Sequence, residues 1–186
     1  AMVFEDGQIP CLDTLSNPCI MEVPAGTMLI ESSLTAGIRH RILRFTMAHE
    51  TGHWILHRSY HDSSNRIYEF RKAKLPYVSC RTASIQRYRY DSTHKRTDDE
   101  WEEWQADHMG GALLMPRSTF SDAAETVMRK CGIRERYIVK GQNVSAAYEA
   151  VEQLANIFDV SHTAAVIRMK DLGYYYESRQ NALRIL

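Results

Sequence analysis

The chain has 186 residues, 23 basic side chains against 23 acidic ones, and 44% apolar residues. That length suits one substantial core, or a core with a small appended module. The balanced charge removes any global case for nucleic acid or a membrane surface as partner, and no apolar run approaches the roughly 20 residues of a spanning helix.

Cys11, Cys19, Cys80 and Cys131 are scattered, with no Cys-x-x-Cys pair. The opening residues have neither a basic n-region nor an apolar h-region. Free thiols in a reducing, cytoplasmic compartment are therefore expected.

Residues 1–24, punctuated by Pro10, Pro18 and Pro24, read as irregular. Residues 26–34 read as a strand, and Thr35-Ala36-Gly37 as a turn into a helix that ends near His57 or Arg58. Within that helix stands Phe45-Thr46-Met47-Ala48-His49-Glu50-Thr51-Gly52-His53-Trp54-Ile55-Leu56-His57. Ile38, Ile42, Phe45, His49, Gly52/His53 and Leu56 recur at three- and four-residue steps and so share one face. His49 and His53 are neighbours one turn apart, close enough to grip a single metal ion, with Zn²⁺ the expected one. Glu50 lies about 100° further round the helix, where a carboxylate serves the water at the metal rather than the metal itself.

Residues 58–97 are basic and aromatic-rich, with short strands expected over 66–71 and 77–90. Basic residues interleaved with aromatics can mark a single-stranded nucleic-acid surface. A hairpin with a solvated face explains the same pattern with fewer assumptions, and nucleic acid is not the expected partner. A second long helix begins at the capping box Thr97-Asp98-Asp99-Glu100 and stops at Pro116. Gly110 and Gly111 inside it suggest close packing against another element. Ser118 reads as the cap of a third helix ending near Cys131-Gly132. Residues 145–157 and 162–172 read as a helical pair, with Ser161 as N-cap and Gly173 as C-terminal stop.

A catalytic zinc site usually takes three protein ligands. His57 extends the His49/His53 stripe, but eight residues of helix place it about 12 Å from His49 along the axis. The metzincin pattern fails as well, because Leu56 and Ser59 stand where its glycine and third histidine belong. On the second helix Glu103 and Asp107 are one turn apart. That spacing lets Glu103 reach the metal while Asp107 accepts the free N–H of a ligand histidine. Asp99, Glu100 and Glu102 belong more naturally to the cap and the exposed first turn.

The segment from Arg44 to His53, taken with Glu103-Trp104-Gln105-Ala106-Asp107-His108-Met109-Gly110-Gly111-Ala112-Leu113-Leu114-Met115-Pro116, resembles the ImmA/IrrE family of metallopeptidases. Members carry a similar R-F-T-x-A-H-E-x-G-H helix and a later E-x-x-A-[ND]-x-F-A-x-x-L-L-x-P helix. The likeness runs from about Gly26 to Pro116, with a fainter one from Leu154 to Gly173. Thr51 and Met109-Gly110-Gly111 depart from the family pattern, as does the long segment between the two motifs.

The resemblance implies an α+β, zincin-like core made of a small mixed sheet, the His-Glu-x-x-His helix and a Glu-donating helix. His49, His53 and Glu103 would bind zinc and Glu50 would be catalytic. It implies a peptidase core over residues 1–132, with the basic insert at 58–97, and a helical, helix-turn-helix-like segment over 133–186. The implied substrate is a helix-turn-helix, DNA-binding transcriptional repressor, cleaved as part of gene control on a mobile element or in a stress response.

Two other functions fit parts of the chain. A zinc-retaining regulatory protein without proteolysis is one, and the intact Glu50 argues against it. A DNA-binding regulator is the other, motivated by residues 145–173. Its second helix opens on the small, apolar His162-Thr163-Ala164-Ala165-Val166, and only Arg168 and Lys170 are basic, where a reader of base edges wants polar side chains.

Overall fold

The computed structural model describes residues 1–35, 39–61, 77–78 and 97–180. It is mixed α+β and mainly helical. In chain order the elements are β1 (Met2–Val3), β2 (Gly7–Leu12), β3 (Pro18–Val23), a 3-10 turn (Ser32–Leu34), α1 (His40–His61) and β4 (Tyr77–Val78). Then follow α2 (Asp98–Leu114), α3 (Arg117–Lys130), β5 (Ile138–Val139), α4 (Val144–Phe158), α5 (His162–Asp171) and β6 (Tyr175–Tyr176). Among the described residues the strands form three two-stranded pairs: β1 with β4 and β2 with β3 antiparallel, β5 with β6 parallel. None of the described helices is long and apolar enough to cross a membrane.

The chain divides into two compact units that interleave in sequence: residues 1–36 with 46–110, and residues 37–45 with 111–186. In the first unit the opening residues are not irregular. Gly7–Leu12 and Pro18–Val23 form a hairpin in which Cys11 faces Cys19, their Sγ atoms 3.1 Å apart. Pro10 and Pro18 are tolerated because each strand of a two-stranded ribbon has an unpaired side for the missing N–H. The connection is held by Asp13, whose Oδ1 accepts from the backbone N–H of Leu15 and Asn17. Ile9 and Val23 turn inward to pack with Val3 and Leu29.

The strand expected over residues 26–34 does not form. Met28 makes an isolated antiparallel bridge to Met2, after which the backbone tightens into the turn at Ser32–Leu34. Local bonds win there: Ser33 Oγ donates to Glu31, and Thr35 Oγ1 donates to the Ser32 carbonyl. The strands expected at 66–71 and 77–90 lie, apart from Tyr77–Val78, outside the described residues.

Helix α1 runs one turn beyond its expected end, to His61. Its buried face is Ala48, His49, Gly52, His53, His57 and His61, whereas Ile42 is exposed. The expected capping box starts α2: Glu100 Oε2 accepts from the Thr97 N–H, and Thr97 Oγ1 accepts from the Glu100 N–H. A Cβ on Gly52 would stand 3.0 Å from the Ala106 carbonyl oxygen and 3.2 Å from its Cα. One on Gly110 would stand 3.0 Å from the backbone nitrogen of His49. The two helices therefore touch backbone to backbone at Gly52 and Gly110. Gly111 has no such neighbour among the described residues, so close packing explains one glycine of the pair and not the other.

The second unit buries Met115, Phe120, Val151, Leu154, Val160 and Met169 in one cluster, against which Phe45 packs. Pro116, not Ser118, precedes α3. Ser161 caps α5 as expected, accepting from the Ala164 N–H, and Gly173 follows the helix at φ 80°. Asp159 sits at φ 50° just after α4 and receives His40, Arg41 and Arg44 from the start of α1. Partial desolvation raises its pKa, but the bonds from Arg41, His40 and Arg44 outweigh that and leave it below the ordinary carboxylate value.

Two outcomes follow. Gly52→Ala and Gly110→Ala should each lose about 1–3 kcal/mol of stability, since overpacking outweighs helix propensity, while Gly111→Ala should gain up to about 1 kcal/mol. Urea unfolding midpoints check this, and a Gly111→Ala loss as large as the others would refute the contact. Because the folded pKa of Asp159 is depressed, its contribution is present above about pH 4 and lost as pH falls through the folded value. Asp159→Asn, which tolerates the same backbone region, should flatten that acid limb of the stability curve.

Candidate metal centre

Backbone contact at Gly52 and Gly110 brings the facing side chains of α1 and α2 together. The His49 and His53 rings meet edge to face, centroids 4.7 Å apart, with their Nε2 atoms separated by 3.0 Å. Glu103 of α2 reaches both: its Oε2 is 3.3 Å from His49 Nε2 and its Oε1 is 3.6 Å from His53 Nε2. His49 and His53 are buried and Glu103 is largely so. One ligand atom from each lies within 4.8 Å of the others, an arrangement that could hold a metal ion.

The separations fit the group tested. Ligands about 2.0–2.1 Å from a tetrahedral Zn²⁺ stand about 3.3 Å from one another, the middle of the three distances found. Two imidazoles and one carboxylate also form a recognised catalytic zinc set that leaves a position open. Asp107 stands one turn beyond Glu103, its Oδ1 3.0 Å from His49 Nδ1. A carboxylate can only accept there, so the His49 proton is on Nδ1 and its Nε2 lone pair faces His53 and Glu103.

Glu50 is buried beside this group in sequence but is not one of its three members. Its Oε1 is 3.1 Å from the Ala1 amino group, and its Oε2 is buried without a hydrogen-bond partner among the described residues. His57 is also outside the three. Its Nδ1 is 3.0 Å from His53 Nδ1, and its Nε2 donates to Gln105 Oε1 at 2.9 Å. Burial pushes the His57 pKa below the ordinary imidazole value, and nearby His53 adds to this, against an opposing pull from the Gln105 bond.

Sequence reasoning placed Glu102 on the exposed first turn of α2. Instead it is mostly buried, with Oε2 2.9 Å from His61 Nε2. The His61 ring stacks on Phe4 at 4.3 Å. The signal that marks His57 and His61 is the four-residue repeat His49, His53, His57, His61, which puts them all on one helix face. In the segment 58–97, only the end of α1, Tyr77–Val78 and Thr97 fall within the described residues.

Compared with protein-family models, with curated proteins and with solved structures, the chain matches none.

If Asp107 orients His49, Asp107→Ala should weaken Zn²⁺ binding by roughly 10- to 100-fold while the stoichiometry at saturation stays unchanged. Chelator competition measures this; an affinity equal to wild type would remove Asp107 from the site.

Proposed function

We propose that the protein is a zinc-dependent endopeptidase with a zincin-like core of the ImmA/IrrE kind. The observation that carries this reading is the meeting of His49, His53 and Glu103 from two helices, with Asp107 behind His49.

In this reading His49, His53 and Glu103 hold the ion. When bound, zinc supplies Lewis acidity, polarising a scissile carbonyl and bringing the pKa of water to about 7. Glu50 takes the proton from the attacking water and returns it to the leaving amine. Its buried Oε2, without a hydrogen-bond partner among the described residues, gives it an acceptor atom for that task. Burial of the His pair excludes bulk water from the ligand atoms, where electrostatic interactions are stronger.

The substrate we propose is a helix-turn-helix transcriptional repressor, on the strength of the motif resemblance. A protein partner is also favoured over DNA by the state of α5. Arg168 Nε donates to the Met115 carbonyl, and Lys170 pairs with Glu177. Both basic residues of that helix are thus engaged within their own unit, which leaves α5 poorly supplied for phosphate contacts.

Glu50→Gln should keep one Zn²⁺ per chain and lose about 10²- to 10⁴-fold in the rate of repressor cleavage. Glu103→Ala should lose both the metal and the activity. Metal content of the purified variants, with cleavage of the repressor encoded beside this gene, gives the answer. Full cleavage by Glu50→Gln would end the mechanism, and a wild-type protein that binds zinc without cutting would favour a regulatory role.

A further inference from the structure

His53 is fully buried, and its ring has two nitrogens with opposite duties. To bind an ion through Nε2 it must carry its proton on Nδ1. Among the described residues no carboxylate stands behind it as Asp107 stands behind His49. What stands there is another histidine.

The direction of the chain of bonds can be worked out from its far end. Gln105 presents a carbonyl oxygen, Oε1, 2.9 Å from His57 Nε2. A carbonyl oxygen only accepts, so the His57 proton is on Nε2 and its Nδ1 is bare. That bare Nδ1 is 3.0 Å from His53 Nδ1, and one of the two must donate. His53 therefore carries its proton on Nδ1, and its Nε2 lone pair points to the other side of the ring.

From the other end of the site, Asp107 imposes the same tautomer on His49. Two bare Nε2 atoms are left 3.0 Å apart, with carboxylate oxygens of Glu103 at 3.3 and 3.6 Å. Lone pairs so arranged repel one another unless a proton or a metal ion lies among them.

We infer that His57 and Gln105 form a tautomer relay: Gln105 fixes the proton of His57 so that His57 accepts from His53 and holds it as a metal ligand. His57 is a positioning residue, acting through His53 and never touching the ion. This rests on the metal site proposed above, but the tautomer it predicts for the metal-free protein does not. The relay also accounts for a buried histidine at the position eight residues from His49, which is too far along the helix to be a ligand.

The test uses the full chain with three variants: His57→Phe, which keeps a ring but removes the acceptor; His57→Asn, whose side-chain oxygen replaces Nδ1; and Gln105→Leu, which removes the far acceptor. Side-chain ¹⁵N spectra of the zinc-free wild type should show His53 protonated on Nδ1. His57→Phe should move that proton toward Nε2 and weaken Zn²⁺ binding by roughly 10- to 100-fold in chelator competition. His57→Asn should stay within about threefold of wild type, with Gln105→Leu in between. Thermal unfolding of each zinc-free variant checks that it is folded.

Wild-type His53 without a proton on Nδ1 would overturn the relay. So would equal losses in His57→Phe and His57→Asn, which would mean packing alone, or an unchanged affinity in His57→Phe. If His57→Phe does not fold, the wild-type spectrum and Gln105→Leu decide. A wild-type protein that binds no zinc at all would refute the metal reading, while the spectrum would still decide the tautomer.

Discussion

The first unit depends on a backbone contact between two helices that has no room for a methyl group on either side. Gly52 lies against Ala106 and Gly110 against His49 and Ala48. Ordinary helix pairs are held 8–10 Å apart by their side chains. Removing the side chain at each crossing point draws the axes together. Only then can a carboxylate as short as Asp107 reach the ring of His49, and Glu103 reach two Nε2 atoms at once. The glycines contribute no chemistry, yet they set the distance at which the chemistry is possible.

That closeness has an electrostatic consequence. Four histidines, at positions 49, 53, 57 and 61, occupy a buried helix face that would normally carry aliphatic residues. Each must find a partner, because an unsatisfied buried polar group costs about 1–3 kcal/mol. The partners come from successive turns of α2 or from the next histidine: Asp107 for His49, His57 and then Gln105 for His53, and Glu102 for His61. Helix α2 is thus polar on the face that a simple amphipathic pattern would make apolar. Its role in unit 1 is to satisfy α1.

Much of this was legible in the sequence because it is local or periodic. The histidine pair, the capping box at Thr97 and the Glu103/Asp107 spacing all depend on helix geometry, which three- and four-residue steps report faithfully. What escaped was whatever a partner chain segment decides. Pro10 and Pro18 spoke against strands, and only the two-stranded pairing of residues 7–23 makes them harmless. Residues 26–34 looked extended by composition, but the hydroxyls of Ser33 and Thr35 offer bonds within two or three residues. Glu102 looked solvated because nothing in its own helix shows that His61 lies opposite.

In the proposed site, charge favours a glutamate over a third histidine as the third ligand. Imidazoles that bind a metal through Nε2 are neutral, so His49 and His53 as proposed ligands would bring no charge to offset a divalent ion. Glu103 and the buried Glu50 would bring one negative charge each, while the carboxylate of Asp107 on His49 is offset by the Ala1 ammonium on Glu50. With a 2+ ion these sum to zero, the condition under which a buried charge cluster is least costly. A third histidine in place of Glu103 would leave such a cluster positive. One carboxylate among the proposed ligands, and one whose Oε2 has no hydrogen-bond partner among the described residues, are what the proposed mechanism asks of a neutral cluster.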